Sequence, residues 1–166
     1  IVENQHIKDL SKFQEKVGIQ NIFNRSALLL SFAVNQHLGD MEVFGYHLVN
    51  ILIHILSVIL WFFLVKEFLY IESFKNRYAL KNLPLVCSII HLVNPLNVQA
   101  ITYISSRSSL LATFFYLLAF YIFLKILKPI KEEASKLRFP ILVSILLMVL
   151  FLGIATKEIV ASFPLI

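Results

Sequence analysis

Charge is scarce in this 166-residue sequence: Asp, Glu, Lys and Arg make up 15% of it, where an average soluble domain carries about a quarter. Cysteine is scarcer still. Cys87 stands alone, which excludes an internal disulfide and a cysteine metal cluster. Gly18, Gly39, Gly45 and Gly153 are too scattered for a glycine-rich phosphate loop. Neither a His-Glu-x-x-His helix nor a serine nucleophile elbow is present. His47 and His54 lie seven apart with no third ligand in register, so no metal centre is expected. Basic and aromatic residues do not interleave, so the net charge of +5 does not mark a nucleic-acid binder. What fills the chain is apolar: 58% hydrophobic residues, fifteen of them Phe, with mean hydropathy +0.80. A soluble enzyme of this size could not hide that surface, and a disordered chain would not carry it. The solvent is lipid.

The sequence opens at Ile1 without a methionine or a basic-then-apolar signal segment, and it closes in an apolar run at Ile166. The expectation is a piece of a longer protein, with function shared with further sequence.

A spanning helix needs about 20 largely apolar residues to cross ~30 Å of hydrocarbon. Four stretches qualify, at residues 46–65, 84–103, 108–126 and 140–156. Pro84 and Pro140 stand where helices can begin, because a missing N–H costs nothing there. The fold class expected is all-α, a transmembrane bundle over residues 44–166. Residues 1–43 form an extracytoplasmic loop with short helices, of which 26–38 is apolar but too short to span and lies at the interface or re-enters the protein. Lys66, Lys75, Arg77 and Lys81 follow the first span, and Lys125, Lys128, Lys131, Lys136 and Arg138 separate the third from the fourth. Short loops rich in Lys and Arg stay cytoplasmic. Four alternating spans put these two loops on one side, so charge and topology agree.

Polar residues recur inside the spans at helical spacing. His47, Asn50, His54 and Ser57 share one face of the first, and Ser106, Ser109, Thr113 and Tyr116 repeat the pattern in the third. His91, Asn94 and Asn97 flank Pro95 in the second, where a kink or break is expected. Such stripes either glue helices together or line a wet cavity. Two cations break the charge rule by standing at outward helix ends, Arg107 and Lys157. A helix start with free N–H groups and a guanidinium suits a phosphate, so both are candidate ligands for a lipid-linked phosphate. The competing accounts are a snorkelling Arg107 and a Lys157 paired with Glu158.

These residues carry a resemblance. Ile1-Val2-Glu3-Asn4-Gln5-His6-Ile7, the stretch from Arg25 to Asn50 with Leu30-Ser31-Phe32-Ala33-Val34-Asn35 and Phe44-Gly45-Tyr46-His47, Asn94-Pro95-Leu96-Asn97 with Tyr103-Ile104-Ser105-Ser106-Arg107, and Thr156-Lys157-Glu158 occur in family order. The chain thus resembles the membrane part of the transmembrane and tetratricopeptide-repeat-containing O-mannosyltransferases, and more closely their bacterial relatives, within the GT-C class of glycosyltransferases. It departs from them at Gln5 and Ser26, where the family has Pro, at Asn94, where it has His, and at Gln99 and Ser109, where it has acidic residues.

The resemblance implies inverting transfer of mannose or another hexose from a polyprenyl- or dolichyl-phosphate donor to a protein or other acceptor at the outer face. It implies Arg107 and Lys157 on the donor phosphate, with Glu158, His47, Asn50 and Arg25 in support. It puts the acidic pair that supplies the base upstream of Ile1, so that the fragment alone is inactive, and tetratricopeptide repeats downstream. A bacterial inner membrane is the first expectation for location and the endoplasmic reticulum the second. A transporter or flippase, or a structural membrane subunit, is the alternative. A transporter would often show paired broken helices, and here only the second span carries an interruption.

Overall fold

The computed structural model describes residues 26–39, 43–71, 80–127 and 135–165. Arg25 and the rest of residues 1–25, with Lys75, Arg77, Lys128 and Lys131, lie outside the described residues. Every regular element among the described residues is helical. The order is α1 (Ser26–Gly39), α2 (Val43–Ile71), α3 (Leu83–Val93), α4 (Leu96–Thr102), a 3-10 turn (Ile104–Ser106), α5 (Arg107–Leu127), α6 (Ser135–Ile154) and a terminal 3-10 segment (Glu158–Leu165).

Two stretches are long and apolar enough to cross a membrane, Val43–Tyr70 and Ile104–Leu127. The first belongs to a 29-residue helix, about 43 Å at 1.5 Å per residue. That exceeds the hydrocarbon core, so α2 must tilt or protrude. The second expected span is broken where the sequence indicates: α3 and α4 meet at Asn94–Pro95 with a bend of 59°. Pro95 has no N–H to continue the ladder. The side chain of Asn94 instead accepts from the Leu96 backbone N–H at 3.0 Å, and Asn97 Nδ2 donates to the His91 carbonyl at 2.8 Å. The side chains of Asn94 and Asn97 are therefore spent on the break itself.

The fourth span differs from expectation. Pro140 does not open the helix but sits inside α6, which starts at Ser135 and ends at Ile154, short of Thr156. Its apolar stretch, Phe139–Ile154, falls below spanning length. The four-span count is thus two continuous helices, one bent pair and one shorter apolar helix.

Pairwise contacts give the helix directions. Asn50 meets Arg107 at the starts of α2 and α5, while Glu67 and Lys125 form an ion pair of 2.8 Å near their ends. These two helices are parallel. Between them in sequence, the α3–α4 pair runs the opposite way: His91 packs against His54 and Trp61, and further along the Ile101 carbonyl meets Asn50, nearer the start of α2. α6 is antiparallel to α5: Val149 packs with Ala119 and Ile122, while Gly153, further along α6, lies beside Phe115, earlier in α5. Ala119 is fully buried and admits α6 closely. Leu28, Phe32 and Tyr46 form a second small core that seats α1 in the bundle. This helix, expected at the interface or re-entering the protein, thus packs one face on the bundle and leaves Leu30 and Val34 exposed. Val86, Ile89, Ile90, Leu147, Met148 and Phe151 remain exposed, as lipid-facing side chains should be.

Candidate functional site

Arg107 is the first residue of α5 and has no exposed surface. A guanidinium carries five N–H donors in a rigid fork and cannot shed its charge cheaply, so a buried one must find acceptors. It finds four. Nε donates to Asn50 Oδ1 at 2.9 Å, Nη1 to the Ser31 carbonyl at 3.3 Å, and Nη2 to Asn35 Oδ1 at 3.2 Å and the Tyr46 carbonyl at 3.0 Å. The cation also lies 4.4 Å from the Phe32 ring centroid and 5.4 Å from that of Tyr46, a stacking that favours Arg over Lys. Asn50, itself fully buried, passes the network on by donating from Nδ2 to the carbonyls of Ile101 at 3.2 Å and Tyr103 at 3.4 Å. One residue thereby ties α1, α2 and α5 together and, through Asn50, holds the end of the broken span.

The stripe of α2 is largely closed by protein, and Asn50 is its member that hydrogen-bonds across helices. Asn50, His54 and Ser57 are buried, and Ser57 back-bonds to the Ile53 carbonyl at 2.9 Å. His47 is half-buried and makes none of the bonds to Arg107. The stripe of α5 behaves differently. Ser109, Thr113 and Tyr116 line a cleft of about 350 Å³ that Lys157, Ile159 and Ser162 close from the other side. That volume lies in the range of small-molecule sites.

Lys157 reaches the cleft because α6 ends just before it. Thr156 and Lys157 both donate their amides to the Gly153 carbonyl at 3.0 Å, and the Thr156 hydroxyl caps the same oxygen at 2.6 Å. Gly153 allows the chain to fold back. A Cβ there would stand 2.6 Å from Val160 Cγ1 and 3.3 Å from Phe115 Cβ. The Lys157 ammonium then donates to Ser109 Oγ at 3.0 Å, two residues beyond Arg107. Glu158 is exposed and does not orient Lys157: the ion pair among the described residues is Glu67–Lys125. Lys157 therefore presents an ammonium with two N–H groups beyond its bond to Ser109.

Of the residues singled out in the sequence, Arg107, Asn50 and Lys157 gather at one end of the bundle, Arg107 inside the protein and Lys157 at a cleft. Arg25 is outside the described residues. Sequence reasoning assigned no role to Ser31, Asn35 or Ser162. The first two sit one turn apart on α1 around Phe32, a spacing that signals a shared face but not what that face meets.

Comparison with known proteins bears on what such a cleft is for. The chain is similar to several curated proteins, all of them named protein O-mannosyl-transferases. Against protein O-mannosyl-transferase F38B6.6 of Caenorhabditis elegans it is 27% identical over 133 residues, which is 73% of this chain and 18% of that protein. Against protein O-mannosyl-transferase TMTC1 of Homo sapiens it is 31% identical over 131 residues, 78% of this chain and 14% of that protein. Against protein O-mannosyl-transferase Tmtc3 of Drosophila melanogaster it is 30% identical over 107 residues, 58% of this chain and 12% of that protein. The chain thus spans less than a fifth of the length of these relatives. No family model and no solved structure matches it.

Proposed function

We propose that this chain is part of an integral-membrane glycosyltransferase that moves mannose, or another hexose, from a polyprenyl-phosphate donor to a protein hydroxyl at the extracytoplasmic face. The observation that carries the reading is an ammonium on Ser109 at a mainly apolar cleft, at the bundle end opposite the Glu67–Lys125 pair, in a chain similar to named O-mannosyl-transferases. The membrane is a bacterial inner membrane or, second, that of the endoplasmic reticulum, and the donor's phosphate chemistry is the same in both.

In the reaction proposed, the acceptor oxygen attacks the anomeric carbon as the bond from that carbon to the phosphate oxygen breaks. The electron pair leaves with the polyprenyl phosphate, and a carboxylate takes the hydroxyl proton. Lys157 meets the charge that grows on the leaving phosphate, and the Ser109 hydroxyl holds Lys157 in place. Arg107 contributes its positive charge from inside the protein and fixes the start of α5, since four of its donors are committed to protein acceptors. No residue of this chain is assigned as the base.

The test is sugar transfer from a polyprenyl-phosphate mannose by the full-length protein. Lys157→Gln is expected to lower kcat about a hundredfold, as loss of one charge-stabilising donor does, and Lys157→Arg to retain most of the rate. Equal rates for wild type and Lys157→Gln, in folded protein, would remove Lys157 from the mechanism.

A further inference from the structure

The turn that delivers Lys157 is held from a second side, by α1. α6 ends at Ile154, which leaves the Ala155 carbonyl beyond its last turn. α1 starts at Ser26, which leaves the Ala27 N–H without an acceptor in its own helix. The two orphans meet: Ala27 N donates to Ala155 O at 3.3 Å, the positive end of one helix against the negative end of the other. Ala155 and Thr156 are buried, so this junction lies inside the protein. One turn on, the Ser31 carbonyl accepts from Arg107 Nη1, and one turn further Asn35 Oδ1 accepts from Nη2. Ala27, Ser31 and Asn35 follow at i, i+4 and i+8, one face of α1 about 12 Å long. Leu28 and Phe32 seat that helix on Tyr46, with Ile104 and Leu111 against the same core.

These contacts close a ring. α1 holds Arg107, Arg107 begins the turn of α5 that carries Ser109, Ser109 accepts from the Lys157 ammonium, and the backbone two residues before Lys157 returns to α1. A misplacement of about 1 Å can cost a reaction about a hundredfold, so what fixes the turn bears on the chemistry. We infer that α1 is a clamp that sets where the Lys157 ammonium stands, with the Ala27 N–H as a positioning group for sugar transfer. The inference rests on the reading that Lys157 meets the charge on the donor phosphate. Ala27 acts through the Ala155 carbonyl and the backbone of Thr156, not on a reacting atom. Opening the ring at Ala27 leaves the ammonium on Ser109 but frees the turn beneath it.

Ala27→Pro isolates the bond, because proline lacks the N–H and is tolerated in the first turn of a helix. In the full-length protein it is expected to lower kcat for transfer from a polyprenyl-phosphate mannose about fivefold, the worth of one neutral hydrogen bond, with KM held. Ala27→Gly keeps the donor and is expected to restore the rate. In a Lys157→Gln background, Ala27→Pro is expected to cost nothing further. Where the proline ring disturbs folding, lactic acid incorporated at position 27 removes the same N–H as a backbone ester. Position is read without catalysis by a short thiol crosslinker, in a background where Cys87 is replaced by Ser. Bridging of Ser109→Cys to Lys157→Cys is expected to slow severalfold when the Ala27 N–H is deleted. Unchanged bridging, or an unchanged kcat where Lys157→Gln lowers it, would overturn the clamp. An equal loss from Ala27→Pro with and without Lys157 would make its effect merely structural and overturn the positioning role. If Lys157→Gln turns over like wild type, the phosphate reading fails, and the bridging rates alone decide whether α1 sets the turn.

Discussion

At the scale of single residues, Arg107 decides the most. An interhelical polar contact in a membrane protein contributes about 0.6 kcal/mol on average and at most about 1.7, but four bonds converge on this guanidinium. Arg107→Ala strands two buried asparagine acceptors and is expected to cost about 2–4 kcal/mol. Asn50→Leu leaves the buried cation short of an acceptor and is expected to cost a similar amount. Thr102→Ala removes only an exposed back-bond to the Val98 carbonyl and is expected to change stability by less than about 0.5 kcal/mol. Thermal unfolding of the purified protein in detergent would rank the three. A ranking with Thr102→Ala at or above Arg107→Ala would refute the hub. Arg107 and Lys157 were legible in the sequence because cations at outward helix ends break a charge rule. Their different fates were not, since only the packing of α1 reveals that Asn35 and the Ser31 carbonyl reach Arg107.

At the scale of elements, the turn after α6 is the construction that delivers Lys157. It depends on the absence of a side chain at Gly153, where Val160 Cγ1 already fills the place a Cβ would take. Gly153→Ala is expected to destabilise the fold by about 1–3 kcal/mol through overpacking. Adding Val160→Ala removes the clashing methyl, so the pair should cost less than the sum of the single changes. A double-mutant cycle by chemical or thermal unfolding measures this, and strict additivity would show that the two residues do not meet. Hydropathy placed α2, the α3–α4 pair and α5 because long apolar runs need no tertiary information. It misjudged α6, because a proline that could open a helix could also be carried inside one, where neighbouring groups tolerate the lost N–H. The 59° bend was readable from Asn94–Pro95, although its angle was not.

At the scale of the whole molecule, α2 and α5 run parallel and are pinned at one end by Asn50 and Arg107, at the other by Glu67 and Lys125. With α3 and α6 running opposite, the candidate residues Arg107, Asn50 and Lys157 fall at a single end of the bundle. The distribution of Lys and Arg predicts that this end faces away from the cytoplasm. In a background where Cys87 is replaced by Ser, cysteines at the exposed positions Ser105 and Glu158 should react with an impermeant thiol reagent added outside, and one at exposed Lys81 should not. The reverse pattern would invert the topology. The stripes themselves were visible in the sequence as periodic polar residues, but periodicity does not distinguish glue from cavity. The structure separates them: the face of α2 is closed by protein, and that of α5 opens on the cleft.

The most direct measurement is a structure of the full-length protein with a polyprenyl-phosphate donor or a non-transferable analogue bound. The account predicts a phosphate oxygen at charge-assisted hydrogen-bond distance, about 2.7–2.9 Å, from Lys157 Nζ, with Arg107 still on Asn50 and Asn35. A phosphate seated on other residues, with Lys157 still turned only toward Ser109, would contradict it.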